Sequence, residues 1–110
     1  MAATKEVDMF ALKVSMHLKP YCAEEFTRTN RKEIIPILRR QKGFRDEVTC
    51  VAAGGTDAFG ISFWDEKASA DAYGRDSYLE VVKALARVID GVVQVQTYDV
   101  VNSTFHQIEV

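Results

Sequence analysis

The stretch FRDEVTCVAAGGTDAFGISFW (Phe44–Trp64) decides the fold, because it contains two strand patterns separated by a turn. FRDEVTCVAA (Phe44–Ala53) and AFGISFW (Ala58–Trp64) contain the β-branched and aromatic residues that favour strands. Between them, GGTD (Gly54–Asp57) has the composition of a tight turn. The stretch therefore predicts an antiparallel hairpin in the middle of the chain.

One strand and one long helix are predicted before the hairpin. MFALKVSMHL (Met9–Leu18) alternates strictly between apolar and other residues, as a half-buried strand does, and Pro20 ends it. From Tyr21 to Lys42 the apolar residues recur with helical spacing. Pro36 lies inside this helix, where proline removes a backbone donor and typically costs about 3 kcal/mol. We therefore expect a kink or break near Lys32–Ile35.

A second helical region and a last strand are predicted after the hairpin. Asp65 is the expected cap of a helix that Gly74 interrupts, and Ser77–Glu80 has the capping-box spacing for a further segment to about Ile89. VVQVQTYDVV (Val92–Val101) is the final strand. The order β-α-β-β-α-β predicts an α+β, ferredoxin-like fold with a four-stranded antiparallel sheet.

Length and composition predict one soluble domain in the cytoplasm. Of 110 residues, we assign 1–8 to a flexible N-terminus, 9–101 to the domain and 102–110 to a tail or edge strand. A net charge of −2 argues against nucleic acid as a partner, and no apolar run approaches the roughly 20 residues that span a bilayer. The N-terminus lacks a secretory signal. Two cysteines and two histidines without a ligand spacing predict neither a disulfide framework nor a metal site.

Two helices can cover only one face of a four-stranded sheet. We expect the covered face to carry the large apolar residues Phe10, Leu12, Val14, Phe59, Ile61, Phe63, Val93 and Val95. The opposite face is then polar and aromatic, with Lys13, Ser15, His17, Ser62, Trp64, Gln94, Gln96 and Tyr98, joined by Thr49 and Val51 if the register of the second strand agrees. Such a surface suits a ligand or a second subunit. Two such sheets meeting face to face predict a homodimer with a barrel lumen.

Three segments resemble the antibiotic biosynthesis monooxygenase (ABM) type of dimeric α/β barrel, over roughly residues 9–101. They are KPYCAEEF (Lys19–Phe26), PILRRQKGFRDE (Pro36–Glu47), and a strand ending in Trp64 followed by DEKASADAYGRDSY (Asp65–Tyr78). The resemblance implies a homodimer with a pocket between each sheet and its helices or in the joint barrel. Some members of this family oxygenate polycyclic phenols without metal or flavin, others degrade haem, and many have no known activity.

Haem degradation is disfavoured within this resemblance. The haem-degrading members share three residues: an asparagine on the first strand, a tryptophan at the end of the third strand, and a histidine about ten residues later. Trp64 matches the tryptophan, but no asparagine lies between Asp8 and Leu18, and the position ten after Trp64 is Gly74. We therefore expect no cofactor.

Cofactor-free oxygenation needs a base that deprotonates a phenolic substrate, aromatic walls, and hydrogen-bond donors. His17 is the candidate base, because an ordinary histidine pKa near 6.5 suits that role. The candidate substrate-binding residues are Trp64 and Tyr98 for stacking, and Lys13, Gln96, Tyr73 and Arg75 as donors. The predicted function is that of a cofactor-independent monooxygenase-like protein acting on a small aromatic or polyketide-like molecule.

Structural explanations and two other functions stay open for the same residues. Trp64 and Tyr73 can be packing residues, and His17 can simply face water at a strand end. The chain can also be a non-enzymatic small-molecule-binding or assembly barrel of the same fold. An isomerase would need a facing acid–base pair, for which His17 and Glu47 are the candidates.

Overall fold

The computed structural model describes residues 9–104 and shows a four-stranded antiparallel sheet with helices on one face. The strands are β1 (Phe10–His17), β2 (Phe44–Val51), β3 (Asp57–Trp64) and β4 (Gln94–Asp99). Their order in the sheet is β2-β3-β1-β4, and every neighbouring pair is antiparallel. The predicted ferredoxin-like α+β fold is confirmed.

The first helical region is interrupted at its proline, as predicted. Helix α1 (Ala23–Thr29) runs into a π-helical turn (Asn30–Ile34), and α2 (Ile35–Arg39) follows with Pro36 in its first turn. Because proline has no N–H, the α-helical bond to the carbonyl four residues earlier cannot form, and the helix widens there. The π turn matters below, because it carries Asn30.

The second helical region begins one residue later than the sequence suggested. Helix α3 (Lys67–Asp76) has Glu66 at its N-cap, without a side-chain capping bond. Asp65, the predicted cap, instead donates its backbone N–H to the Gly43 carbonyl at 2.8 Å. The prediction for Asp65 is wrong because this residue still belongs to the backbone contact that closes β3 against the end of the first helical region.

Helix α4 (Tyr78–Leu85) has Ser77 at its N-cap, as the capping-box spacing predicted, but the hydroxyl makes no capping bond. It contacts Gln41 Oε1 at 3.4 Å instead. The helix ends at Leu85, and Ile89 forms an isolated bridge with Leu18 after β1. The helix therefore ends before the expected Ile89, and the chain has returned to the sheet at that residue.

Strand β3 is turned over relative to the prediction. Its register against β1 places Trp64 opposite Phe10 and Ser62 opposite Leu12, so Trp64 and Ser62 share the helix-covered face. Trp64 is fully buried there. Strict alternation then puts Phe59, Ile61 and Phe63, which we expected under the helices, on the opposite face.

The pairing of β2 with β3 corrects a second assignment. Thr49 lies opposite Gly60 and Val51 opposite Ala58, so both belong to the helix-covered face and not to the open one. Glu47 shares that face, opposite Ser62. The open face carries the residues between them, including Val48.

The edges of the described chain add little to the core. Strand β4 is exposed along its whole length, and residues 102–104 form no strand. The predictions for residues 1–8 and for the rest of the tail, 105–110, lie outside the described residues. Within residues 9–104, no helix combines the length and the apolar character that crossing a membrane requires.

Candidate functional site

A pocket lies between the helix-covered face of the sheet and the helices. Its cavity volume is about 50 Å³, well below the roughly 300–1,000 Å³ of drug-sized ligand sites, so a polycyclic ligand needs the lining side chains to move apart. Most of its wall is aliphatic or aromatic, and its lining residues come from every helical segment and from β1, β2 and β3. They are Leu12, Val14, Met16, Phe26, Asn30, Ile34, Leu38, Glu47, Thr49, Gly60, Ser62, Tyr73, Val81 and Leu85.

One end of the pocket is polar and half-buried. Asn30, on the π-helical turn, donates from Nδ2 to Thr49 Oγ1 at 3.0 Å. The Thr49 hydroxyl in turn donates to Glu47 Oε2 at 2.5 Å. Gly60 leaves the space for this carboxylate, because a Cβ at that position would lie 2.9 Å from Glu47 Oε2. The three side chains therefore form a chain of hydrogen bonds that ends on a carboxylate.

Burial raises the pKa of Glu47 above its ordinary value, and the hydrogen bond from Thr49 opposes that rise. A carboxylate with a raised pKa is a stronger base than an ordinary glutamate. Once ionised, Glu47 is therefore a better proton acceptor than a surface carboxylate, and it becomes ionised at a higher pH than an ordinary glutamate.

An aromatic wall lies near the polar end of the pocket. Tyr73 lines the pocket and stacks on Trp64 with ring centroids 5.1 Å apart and planes at 27°. Trp64 lies behind it, edge-on to Phe44 at 5.6 Å. The indole Nε1 donates to Ser62 Oγ at 2.9 Å, so the buried ring has its polar atom satisfied. Trp64 supports the wall, and Tyr73 presents it.

The phenols beside the pocket are held in their protonated form. The pKa of Tyr73 is raised well above its ordinary value, mainly by burial and further by Tyr78 and Glu47 nearby. Burial also raises the pKa of Tyr78, whose ring meets Tyr73 edge-on at 6.0 Å. The Tyr78 hydroxyl is buried and has no hydrogen-bond partner within residues 9–104. Both phenols can act as hydrogen-bond donors at neutral pH.

The structure separates the residues predicted for the site. Of these, only Trp64 and Tyr73 belong to the helix-covered side. Lys13, Gln96 and Tyr98 lie on the open face, where their positions on paired strands β1 and β4 place them. The Lys13 ammonium lies 4.8 Å from the centre of the Phe59 ring. Arg75 is exposed on α3 and pairs with its neighbour Asp76 at 3.3 Å.

His17, the predicted base, is not in the pocket. It lies at the end of β1, its Nδ1 is 2.5 Å from Asp57 Oδ1, and 72% of its side chain is exposed. It lines a second pocket, with a volume of about 400 Å³, at this end of the sheet together with Cys50 and Phe59. Glu47 is on β2 and on the other side of the sheet, so the facing pair that an isomerase would need is absent.

Sequence reasoning missed the polar end of the pocket. Asn30 and Thr49 are not among the predicted site residues, and Glu47 is predicted only as a partner of His17. The available signal was a glutamate inside a strand pattern at a position that alternates in step with Thr49, which is unusual unless the carboxylate serves a purpose. No group of three histidine, cysteine or carboxylate side chains within residues 9–104 is arranged to hold a metal ion.

Solved structures share this architecture at low sequence identity. A monooxygenase from the gene ActVA-Orf6 of Streptomyces coelicolor, in complex with nanaomycin D, has a TM-score of 0.75 and 14% identity, covering 91% of this chain and 94% of that one. A variant of SnoaB, a cofactor-independent oxygenase from Streptomyces nogalater, has a TM-score of 0.71 and 14% identity, covering 91% and 99%. A protein of unknown function from Nitrosomonas europaea has a TM-score of 0.75 and 12% identity, covering 94% and 99%.

No protein-family model matches the chain, and no curated protein sequence matches it significantly. At 12–14% identity the structural likeness establishes the fold, and activity has to be argued from the site. The chain has a ferredoxin-like α+β fold, which it shares with these solved structures.

Proposed function

We propose that the pocket between sheet and helices binds a small aromatic or polyketide-like phenol, and that the protein oxygenates it without a cofactor. The observation that carries this proposal is the carboxylate of Glu47, placed at the polar end of an otherwise apolar pocket. A base in a water-poor, aromatic-walled site is what deprotonation of such a substrate needs. The likeness in fold to a cofactor-independent oxygenase supports the proposal without carrying it.

The reaction balances with dioxygen as the only co-reactant. Glu47 takes a proton from the substrate, and the resulting carbanion passes one electron to dioxygen. The two radicals combine to form a C–O bond, and the peroxide takes the proton back from Glu47. Loss of water then leaves a carbonyl, so an anthrone CH₂ group and O₂ become a quinone C=O group and H₂O.

The neighbouring residues orient this base and hold the ring. Asn30 and Thr49 fix one oxygen of the Glu47 carboxylate through their hydrogen bonds. Tyr73 offers a flat surface for stacking and a protonated hydroxyl that can stabilise developing negative charge. The aliphatic wall excludes water from the carbanion.

Oxygen uptake with anthrone tests the proposal, and the chain offers a matched pair of glycines. Gly60→Ala places a methyl group against Glu47 Oε2, whereas Gly74→Ala meets nothing within 4 Å. We expect wild type and Gly74→Ala to convert anthrone to anthraquinone at the same rate. Gly60→Ala should be slower by on the order of tenfold or more, because a small displacement of a catalytic group has a large effect on rate.

The variant His17→Ala distinguishes the two candidate bases. If Glu47 is the base, His17→Ala keeps the wild-type rate, since His17 is exposed and paired with Asp57. Loss of activity in His17→Ala alone would favour the base predicted from the sequence. Thermal stabilisation by aromatic ligands without oxygen uptake from anthrone or a quinol panel would favour a non-enzymatic binding module.

The homodimer through the open sheet face is part of the proposal. Phe59, Ile61 and Phe63 form an apolar row along β3 on this face, and Val48 is 39% exposed beside Ile61. No helix of the described chain covers them. A second copy would bury the row, because sheets pack face to face about 10 Å apart and a two-fold axis makes the contact self-complementary.

We expect Ile61→Glu to convert the dimer into a monomer at micromolar concentration. A carboxylate in the centre of the contact would be buried opposite its own copy without a partner. Leu79→Glu is the matched control, because Leu79 is 66% exposed on α4, away from this face. Light scattering gives the mass of each variant, and a monomeric wild-type protein would contradict the prediction.

A cytoplasmic location also remains part of the proposal. Cys22 and Cys50 are both free thiols, which fits a reducing compartment. Cell fractionation with an antibody against the chain tests it.

A further inference from the structure

The charge of the pocket restricts what it can bind. Glu47 is the only charged residue in the lining, and no lysine or arginine accompanies it in the described part of the chain. None of the ion pairs found within residues 9–104 includes Glu47. The lining therefore contains one negatively charged group. It contains no positively charged group that could balance a second negative charge brought in by a ligand.

The Glu47 carboxylate has acceptor capacity left. An ionised carboxylate can accept about four hydrogen bonds. In the structure, Thr49 donates to Oε2, and no residue within 9–104 donates to Oε1. A ligand hydroxyl that enters this end of the pocket can therefore donate to the carboxylate, with its aromatic ring along the aliphatic wall toward Tyr73.

An anionic ligand meets the opposite situation. Its carboxylate would leave water for a site of low dielectric constant, where the nearest charge is also negative. Like charges at short range in such surroundings repel far more strongly than in water. The Asn30 amide at this end donates one N–H to Thr49 and keeps one, and this neutral donor does not cancel the charge of a second carboxylate.

We infer that the ligand class of this pocket is an uncharged hydroxyarene, whose hydroxyl donates to Glu47, and that the pocket discriminates against arenes bearing a carboxylate at that end. The inference rests on the proposed location of the substrate, and it does not require that the substrate react. It follows from the charge and hydrogen-bonding capacity of the lining.

Calorimetric titration with three naphthalenes of the same shape tests the inference. At about pH 7.5, 2-naphthol and 2-naphthamide are neutral and 2-naphthoate is an anion. We expect wild type to bind 2-naphthol at least about tenfold more tightly than 2-naphthoate, with the amide also ahead of the acid. In Glu47→Gln the preference for the neutral ligands should shrink toward parity. Glu24→Gln, an exposed glutamate on α1, should keep it.

A second measurement covers the case in which Glu47→Gln does not fold. Lowering the pH toward about 4 protonates both Glu47 and 2-naphthoate, so the discrimination by wild type should disappear along the titration. The inference is overturned if 2-naphthoate binds wild type as tightly as 2-naphthol, if the preference survives in folded Glu47→Gln, or if none of the three binds.

Failure of the inference and failure of the proposed oxygenation are distinguishable, because no naphthalene probe has to react. Selective binding without oxygen uptake from anthrone would remove the oxygenase activity and leave the ligand class standing. Oxygen uptake from anthrone together with equal binding of 2-naphthoate and 2-naphthol would support the oxygenase activity and contradict the inferred ligand class.

Discussion

Replacing Glu47 with glutamine lowers the rate of anthrone oxygenation by about 10²–10⁴-fold, the usual effect of removing a general base. Glutamine keeps the shape of the side chain and can still accept a hydrogen bond from Thr49. It cannot take a proton from the substrate. The loss should therefore appear in the rate of the chemical step, with 2-naphthamide still binding the pocket.

The same substitution is expected to stabilise the protein at neutral pH. Burial raises the folded-state pKa of Glu47 above its unfolded value, so the folded chain holds the proton more tightly than the unfolded chain. The stability linked to this proton is fully present below the unfolded pKa and is lost as the pH rises through the folded pKa. Glutamine is neutral throughout and escapes that loss.

Urea unfolding of wild type and Glu47→Gln at about pH 4 and about pH 8 measures this difference. The two proteins should differ little at the lower pH, and the variant should be the more stable at the higher one. Glu24→Gln, whose carboxylate is exposed, is the control for a general effect of removing charge. Both predictions fail if Glu47→Gln keeps the wild-type activity and is no more stable than wild type at about pH 8. Glu47 would then behave as an ordinary surface carboxylate.

The element order of the fold could be predicted from the sequence because each element has its own local signal. Alternation over Met9–Leu18 and the turn residues of Gly54–Asp57 are properties of neighbouring residues, and both predictions are confirmed. The break at Pro36 is confirmed for the same reason, since the missing N–H acts within one helical turn. Local patterns lead to local structure.

The orientation of β3 could not be predicted in this way. Alternation shows that Phe59, Ile61 and Phe63 share one face and that Ser62 and Trp64 share the other, but not which face the helices cover. The longer apolar row is the one predicted to lie under the helices. That choice fails when the open face is also apolar, so the register between strands, which a single sequence does not contain, decides the orientation.

The site was predicted only in part because its members are far apart in the chain. Asn30 and Thr49 are hydrogen-bonded across 19 positions, and the π-helical turn sets the direction of Asn30. Trp64 is predicted to stack with Tyr98 on a ligand and Tyr73 to donate a hydrogen bond, whereas in the structure Trp64 stacks on Tyr73 and Tyr98 lies on the open face. His17 is predicted for its chemistry, and the register puts it at the end of β1 on the open face, opposite Asp57.

Trp64→Ala is expected to lower the free energy of unfolding by about 3–5 kcal/mol, the range for truncating a buried large aromatic residue. The side chain is fully buried and contacts Phe44 on one side and Tyr73 on the other. Its removal leaves a cavity under the aromatic wall and deprives the buried Ser62 hydroxyl of its donor. Because domains of this size are stable by only about 5–15 kcal/mol, the variant should be marginal.

Trp64→Phe separates packing from the hydrogen bond. Phenylalanine keeps a ring against Tyr73 and loses the donor to Ser62, so its cost should be near the about 1–3 kcal/mol of an unsatisfied buried group. Urea unfolding of both variants at one protomer concentration measures the two costs, since stability of a dimer would depend on concentration. Tyr98→Ala, on the open face and 46% exposed, is the control.

The outcome distinguishes the two positions proposed for Trp64. A tryptophan that lined the lumen of a dimeric barrel would act mainly on association, and Trp64→Ala would then shift the mass measured by light scattering while costing less than about 1 kcal/mol of stability within each protomer. A tryptophan behind Tyr73 costs stability in the protomer itself and leaves the association of the folded fraction intact. Loss of ligand binding would follow in that case because Tyr73 loses its support, and Trp64→Phe, which restores a ring there, should recover it.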